Sequence, residues 1–95
     1  MRTWKDCFGE ETSVNDFAGY EMNKANYGQP GKGGWNIHHL IPKSMGGKDS
    51  IDNLMLMSME VHKHIGSRTT FTIDDVRYQV KWCKADKRYK LYHHQ

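Results

Sequence analysis

Four of the six histidines in this chain fall at two places, His38-His39 and His62/His64, and the other two, His93-His94, stand in the C-terminal tail. An imidazole titrates near pH 6.5, so close to neutrality it can take a proton from water or hold a divalent ion through a neutral ring nitrogen. His38 and His39 lie at the end of the run Trp35–Ile41 (WNIHHLI), which reads as a strand stopped by Pro42. Neighbouring side chains on a strand point to opposite faces, so these two rings cannot do the same job. One can face a metal while the other faces a substrate held beside it. His62 lies in a stretch that reads as a short helix, from which a further imidazole can reach the same ion. Such a set suits phosphodiester hydrolysis. A base removes a proton from the attacking water, and a divalent ion stabilises charge on the phosphate and on the departing 3′ oxygen.

Those side chains need a frame. Leu54–Ser58 (LMLMS) reads as a second short strand, and Ser58 can cap a helix from Met59 to about Ile65, with Glu60 favourably placed in its first turn. Gly66 is expected to stop that helix in the left-handed conformation. Between the two strands runs a polar loop, Lys43 to Asp52, containing Gly46-Gly47. Gly28–Gly34 (GQPGKGG) is a loop leading into the first strand; the phosphate-cradle pattern fails there, since no Gly-Lys-Ser/Thr follows at the right spacing. Residues 1–27 carry Trp4, Phe8, Phe17, Tyr20 and Tyr27 without a sustained period, which reads as an irregular N-terminal arm with a strand near Gly19–Lys24. Toward the C-terminus, Ile73, Val76, Val80 and Cys83 could share a helical face. Strict alternation of Val76, Tyr78, Val80 and Trp82 with polar residues favours strand, giving a three-stranded meander with turns at Asp74-Asp75 and near Ala85-Asp86. The expected core is Trp35, Ile37, Leu40, Leu54, Leu56 and Ile65, with the run LMLMSM as a core strand rather than an adaptable binding surface.

A chain of 95 residues is expected to form one domain, 1–95, with a thin core. No apolar run approaches the roughly 20 residues that span a bilayer, and the N-terminus has no signal-like stretch, so the expectation is a cytoplasmic protein of a bacterial host with no membrane partner. Cys7 and Cys83 are far apart and form no CxxC pair, which argues against structural zinc and against a disulfide. The net charge is +3, unevenly spread. Met1–Met22 holds two basic and five acidic side chains, whereas Arg77–Lys90 holds six basic and one acidic. That basic end, with Tyr78, Trp82, Tyr89 and Tyr92 interleaved, suits a polyanion; a solvated strand face blunting a sheet edge is the competing reading.

The segment GWNIHHLIPKSMGGKDSIDNLMLMSMEVHKHI resembles the HNH endonuclease motif along nearly its whole length, about Trp35–Ile65, in the order His38-His39, the Pro of LIPKS, GG, Asn53-Leu54, His62. The resemblance implies an α+β fold with a ββα-metal core at about 35–66, clamped around one divalent ion. It implies His38 and His62 as metal ligands and His39 as the general base. Asn53, 14 residues after His39, joins the catalytic set by bracing the loop between the strands. DNA is the implied partner, a larger phage or defence complex a further one, and the oligomeric state stays open. Lys43 and Lys48, beside the metal strand, and Arg77, Lys81, Lys84, Lys87 and Arg88 are the candidate nucleic-acid contacts.

The sequence departs from the family pattern in two ways. Many members carry a second helix ligand four residues after the first, where this chain has Gly66, and two positions along a helix turns His64 to the other side. Two protein ligands and more water point to Mg²⁺ or Mn²⁺, with Ni²⁺ or Zn²⁺ as alternatives. Ser58 and Val61 stand where many relatives have zinc-knuckle cysteines, so packing must hold the module together. The rival to an endonuclease is a catalytically silent binding protein of the same shape, such as a phage inhibitor or assembly factor; the intact base and ligand positions disfavour it.

Overall fold

In a computed structural model of the chain, residues 4–94 are described, His94 through its backbone only. Helix α1 (Trp4–Phe8) is followed by strands β1 (Ser13–Asn15), β2 (Glu21–Tyr27), β3 (Gly33–His39) and β4 (Leu54–Ser58), helix α2 (Met59–Ile65), and strands β5 (Thr70–Ile73), β6 (Val76–Cys83) and β7 (Arg88–His94). The mixture of helices and sheets is the expected α+β class. Strands β1 to β4 make one sheet in sequence order, and β5 to β7 make a second. No helix among the described residues is long and apolar enough to cross a membrane.

The pairing of β3 with β4 is antiparallel, setting Ile37 opposite Leu56, His38 opposite Met55 and His39 opposite Leu54. Strand β3 ends two residues before the expected Ile41. Beyond His39 the main chain is taken over by Asn53, whose carbonyl accepts from the Leu40 N–H at 2.9 Å and whose side-chain oxygen accepts from the Ile41 N–H at 2.8 Å. Helix α2 starts and stops where its sequence says. The Ser58 hydroxyl accepts from the Val61 N–H at 3.2 Å, satisfying one of the orphan donors of the first turn. Gly66 does not take the expected left-handed cap. Its φ of 59° and ψ of −124° lie in a region that glycine alone enters at low cost, while its N–H still bonds the His62 carbonyl at 3.1 Å.

The N-terminal arm is not irregular. Strand β1 pairs antiparallel with β2, and β2 lies parallel to β3 with a register shift between Met22 and Tyr27. Its aromatics lack a period because several of them pack against distant partners. Trp4 lies 5.1 Å from Trp35 and Phe17 lies 5.0 Å from Tyr78, centroid to centroid. Trp4, Met22, Trp35 and Leu56 make one buried cluster, on the face of the sheet toward α1. Met57, Val61, Ile65, Phe71, Ile73 and Tyr78 make the other, between β4, α2 and the second sheet. The methionine-rich run is core: Met57 is fully buried and Met55 packs against the second cluster. Asp16 fastens the arm to this frame, since one carboxylate oxygen accepts from the Ala18 and Tyr20 N–H groups and the other from the buried Ser58 N–H at 2.9 Å.

The C-terminal meander forms as expected, in the order β5-β6-β7. Asp74 and Asp75 both have positive φ, 49° and 68°, as a two-residue hairpin turn with the hand of the strand twist requires, and Asp tolerates that conformation better than most residues. His93, in the C-terminal tail of the sequence, belongs to β7 and lies opposite Tyr78 on β6.

Candidate active site

The two strands and α2 bring His38 and His62 together. Their rings meet edge to face, centroids 5.2 Å apart. His38 is 5% exposed, and desolvation, then the neighbouring His62 and His39, push its pKa down to about 4. Burial lowers His62 as well. Both rings are therefore neutral at physiological pH, the state in which an imidazole nitrogen keeps a lone pair for a metal. Among the described residues no group of three or more His, Cys, Asp or Glu is placed to hold an ion, so these two nitrogens are the protein donors on offer. They fit an ion that completes its shell with water and substrate oxygen. His64 is turned away, its Nε2 bonding the Thr72 carbonyl at 2.9 Å, and Gly66 offers no side chain.

The depressed values carry a pH dependence. Between pH 6.5 and about 4 the unfolded chain binds protons that the folded chain refuses, so stability is full above 6.5 and falls as pH drops through that window. For the metal-free protein the loss from His38 is at most about 3 kcal/mol. It is read as a falling urea midpoint between pH 7 and pH 4.5. In His38→Gln that slope is expected to flatten; an unchanged slope would place its origin elsewhere.

His39 sits on the opposite side of the strand from His38 and finds a partner that its spacing did not reveal. Its Nε2 lies 2.5 Å from the Oδ1 of Asp49, while the other oxygen of Asp49 lies 2.9 Å from the Lys43 ammonium. The His39 hydrogen bond and then Lys43 hold the Asp49 carboxyl below its ordinary range, so it is an ionised acceptor. With the Asp49 carboxylate accepting at Nε2, Nδ1 is the ring nitrogen of His39 left to face a substrate. The signal available in the sequence was an acidic residue in the loop directly after Gly46-Gly47-Lys48.

That loop is held by main-chain geometry. Gly46 has a φ of 87°, and a Cβ on Gly47 would lie 1.7 Å from the Ile41 carbonyl oxygen, so only glycine lets the chain turn back on itself here. Asn53, 2% exposed, locks the turn from inside. Its oxygen accepts from the Ile41 N–H, and its amide donates to the Ile41 and Lys48 carbonyls, both at 3.0 Å. With both amide hydrogens spent on main chain, Asn53 braces the loop between the strands.

The candidate nucleic-acid contacts divide. Lys48, Arg77, Lys81, Lys84 and Lys87 are exposed, and Lys43 is exposed but tied to Asp49. Arg88 is half-buried: its guanidinium donates to the Leu54 carbonyl at 3.2 Å and to the Tyr89 carbonyl at 3.3 Å. It joins β7 to the start of β4 and has little left to offer a phosphate. A hollow of about 710 Å³ opens between α1 and β7, lined by residues including Phe8, Leu40, Met55 and Leu91; none of His38, His39 and His62 lines it.

Comparison with known proteins agrees with this geometry. The family model described as HNH endonuclease matches residues 28–68, which contain β3, the locked loop, β4 and α2. The probable mobile endonuclease C of Enterobacteria phage T4 is 29% identical over 59 residues, a match taking in 62% of this chain and 28% of that relative. No solved structure matches. The stretch that brings His38, His39, Asn53 and His62 into one frame is the stretch the family model covers: the chain carries an HNH endonuclease domain at residues 28–68.

Proposed function

We propose that this chain is a metal-dependent endonuclease that nicks or cuts DNA, built as one domain around a ββα-metal core. The observation that carries this reading is the pairing of two neutral imidazoles, His38 and His62, across the strand-helix junction, with a third, His39, held by Asp49 on the adjoining strand position. A divalent ion bound by His38 and His62 would supply Lewis acidity at the scissile phosphate and at the leaving 3′ oxygen. The protein's own residues do the rest. His39 takes the proton of the attacking water on Nδ1, and the Asp49 carboxylate at Nε2 fixes the ring and stabilises the charge that develops on it. Lys43 balances Asp49 and stands at the loop surface, where a neighbouring phosphate can pass. Exposed Lys48, Arg77, Lys81, Lys84 and Lys87 add backbone affinity that weakens steeply with salt.

The donor set bears on the ion. Both protein donors are imidazole nitrogens, which suit first-row transition ions better than Mg²⁺, a cation that prefers oxygen. The preference therefore shifts from the Mg²⁺ or Mn²⁺ expected from ligand number toward Ni²⁺, Zn²⁺ or Mn²⁺. Calorimetric titration of the wild type is expected to give Ni²⁺ and Zn²⁺ above Mn²⁺, and Mn²⁺ above Mg²⁺. In His62→Ala the affinity for Zn²⁺ should fall by about a hundredfold or more. Unchanged affinity in that variant would remove His62 from the ligand set. The activity itself is tested by conversion of supercoiled plasmid to open-circular or linear DNA with each ion and its suppression by EDTA. A folded protein that leaves plasmid intact with every ion would favour the silent binding protein.

A further inference from the structure

The inner face of the meander runs one residue pair further than the core it covers. Along β6, Tyr78 and Val80 are buried, but Trp82, next on the same face, is 46% exposed. It lies opposite Tyr89 on β7, the rings edge to face at 5.0 Å. Strand β7, which carries Tyr89, reaches the end of the first sheet where His39 lies. Tyr89 follows Arg88, whose guanidinium bonds the Leu54 carbonyl, and Leu54 is the strand partner of His39. Strand β7 also packs against the turn Ile51–Asn53 that leads into β4.

The charge around the pair is one-sided. Lys81 stands opposite Lys90 across the ladder, an arrangement that costs stability on its own. Asp86 pairs with Lys90 and leaves exposed Lys81, Lys84 and Lys87 without a carboxylate. An exposed indole near the tip of a hairpin whose turn carries the uncompensated Lys84 and Lys87, with Lys81 leaving the other face of the strand, fits a nucleic-acid strand, with a base on the ring and phosphates on the ammonium groups. Paired bases inside a duplex expose only their edges, so a ring face can take a base only where that base is unpaired.

We propose that Trp82 and Tyr89 form a stacking platform for an unpaired DNA base beside the site of cleavage, so that the preferred substrate carries single-stranded nucleotides next to the scissile bond. This rests on the nuclease reading for its position relative to cleavage, but the platform can be measured without catalysis. Trp4 and Trp35 are 4% and 5% exposed, so tryptophan emission that changes on DNA binding reports mainly on Trp82. In EDTA, adding an oligothymidylate to the full chain is expected to quench that emission saturably, and a blunt duplex is expected to quench it far less. Trp82→Lys removes the indole and adds a charge. Oligothymidylate binding, followed by anisotropy of the labelled oligonucleotide, should then weaken by about tenfold or more, and duplex binding should hold or tighten. Tyr89→Ala should weaken oligothymidylate binding in the same direction, with circular dichroism confirming the fold of both variants. Oligothymidylate binding that is unchanged or tighter in a folded Trp82→Lys would overturn the platform, even if the wild type nicks plasmid. If the wild type cuts nothing with any ion and the Trp82-dependent quench persists, the nuclease reading falls and the stacking surface stands.

Discussion

His39→Ala is expected to slow metal-dependent nicking of supercoiled plasmid by about 10²- to 10⁴-fold, the usual contribution of a positioned general base. Metal affinity and DNA affinity should change little, because His39 lies on the opposite side of the strand from His38 and its ring is engaged with Asp49. The loss should therefore appear in turnover at saturating DNA. Asp49→Ala should fall between this variant and the wild type. It leaves the Nδ1 base in place but removes the carboxylate that fixes the ring and balances its developing charge. Asp49 is exposed and joined to the fold through Lys43 and His39, so its removal should leave the melting temperature near that of the wild type. Nicking by His39→Ala at the wild-type rate would sink the base assignment, whatever Asp49→Ala does.

The second large effect falls on stability. Asn53→Ala strips partners from the Ile41 N–H, the Ile41 carbonyl and the Lys48 carbonyl at once. A polar group left unpaired away from water costs about 1–3 kcal/mol, and solvent on the loop side can recover part of that, so a loss of about 3 kcal/mol is expected. In a domain of this size that corresponds to a fall of about 12–24 °C in melting temperature. Asn53→Asp is not a rescue. It keeps the acceptor for the Ile41 N–H but turns a second oxygen toward two carbonyls, and it should destabilise about as much as alanine at neutral pH. Urea unfolding checks both variants. A change within about 0.5 kcal/mol, the range of ordinary surface substitutions, would show that the lock carries no load. Activity should fall with stability here, because the loop that Asn53 closes is the loop that carries Asp49 to His39.

What the sequence determined about this protein is what short-range chemistry determines. Strand β4 and helix α2 fall where they were expected because an apolar run meets a serine that caps the next turn. The meander follows from strict alternation of β-branched and aromatic residues with polar ones. The order His38-His39, Gly46-Gly47, Asn53, His62 was legible through its resemblance to the HNH motif, and short-range chemistry adds that strand parity separates the first two rings and helix phase turns His62 and His64 apart. The rest depends on partners far apart in the chain. The arm at residues 4–27 looked irregular because Trp4 needs Trp35, Phe17 needs Tyr78, and Asp16 needs a Ser58 amide 42 residues away. Asp49 became the partner of His39 only when the loop closed, and Arg88 was withdrawn from the basic face only when β7 came to rest against Leu54. A residue's local pattern fixes which way its side chain leaves the backbone; packing decides what it meets there.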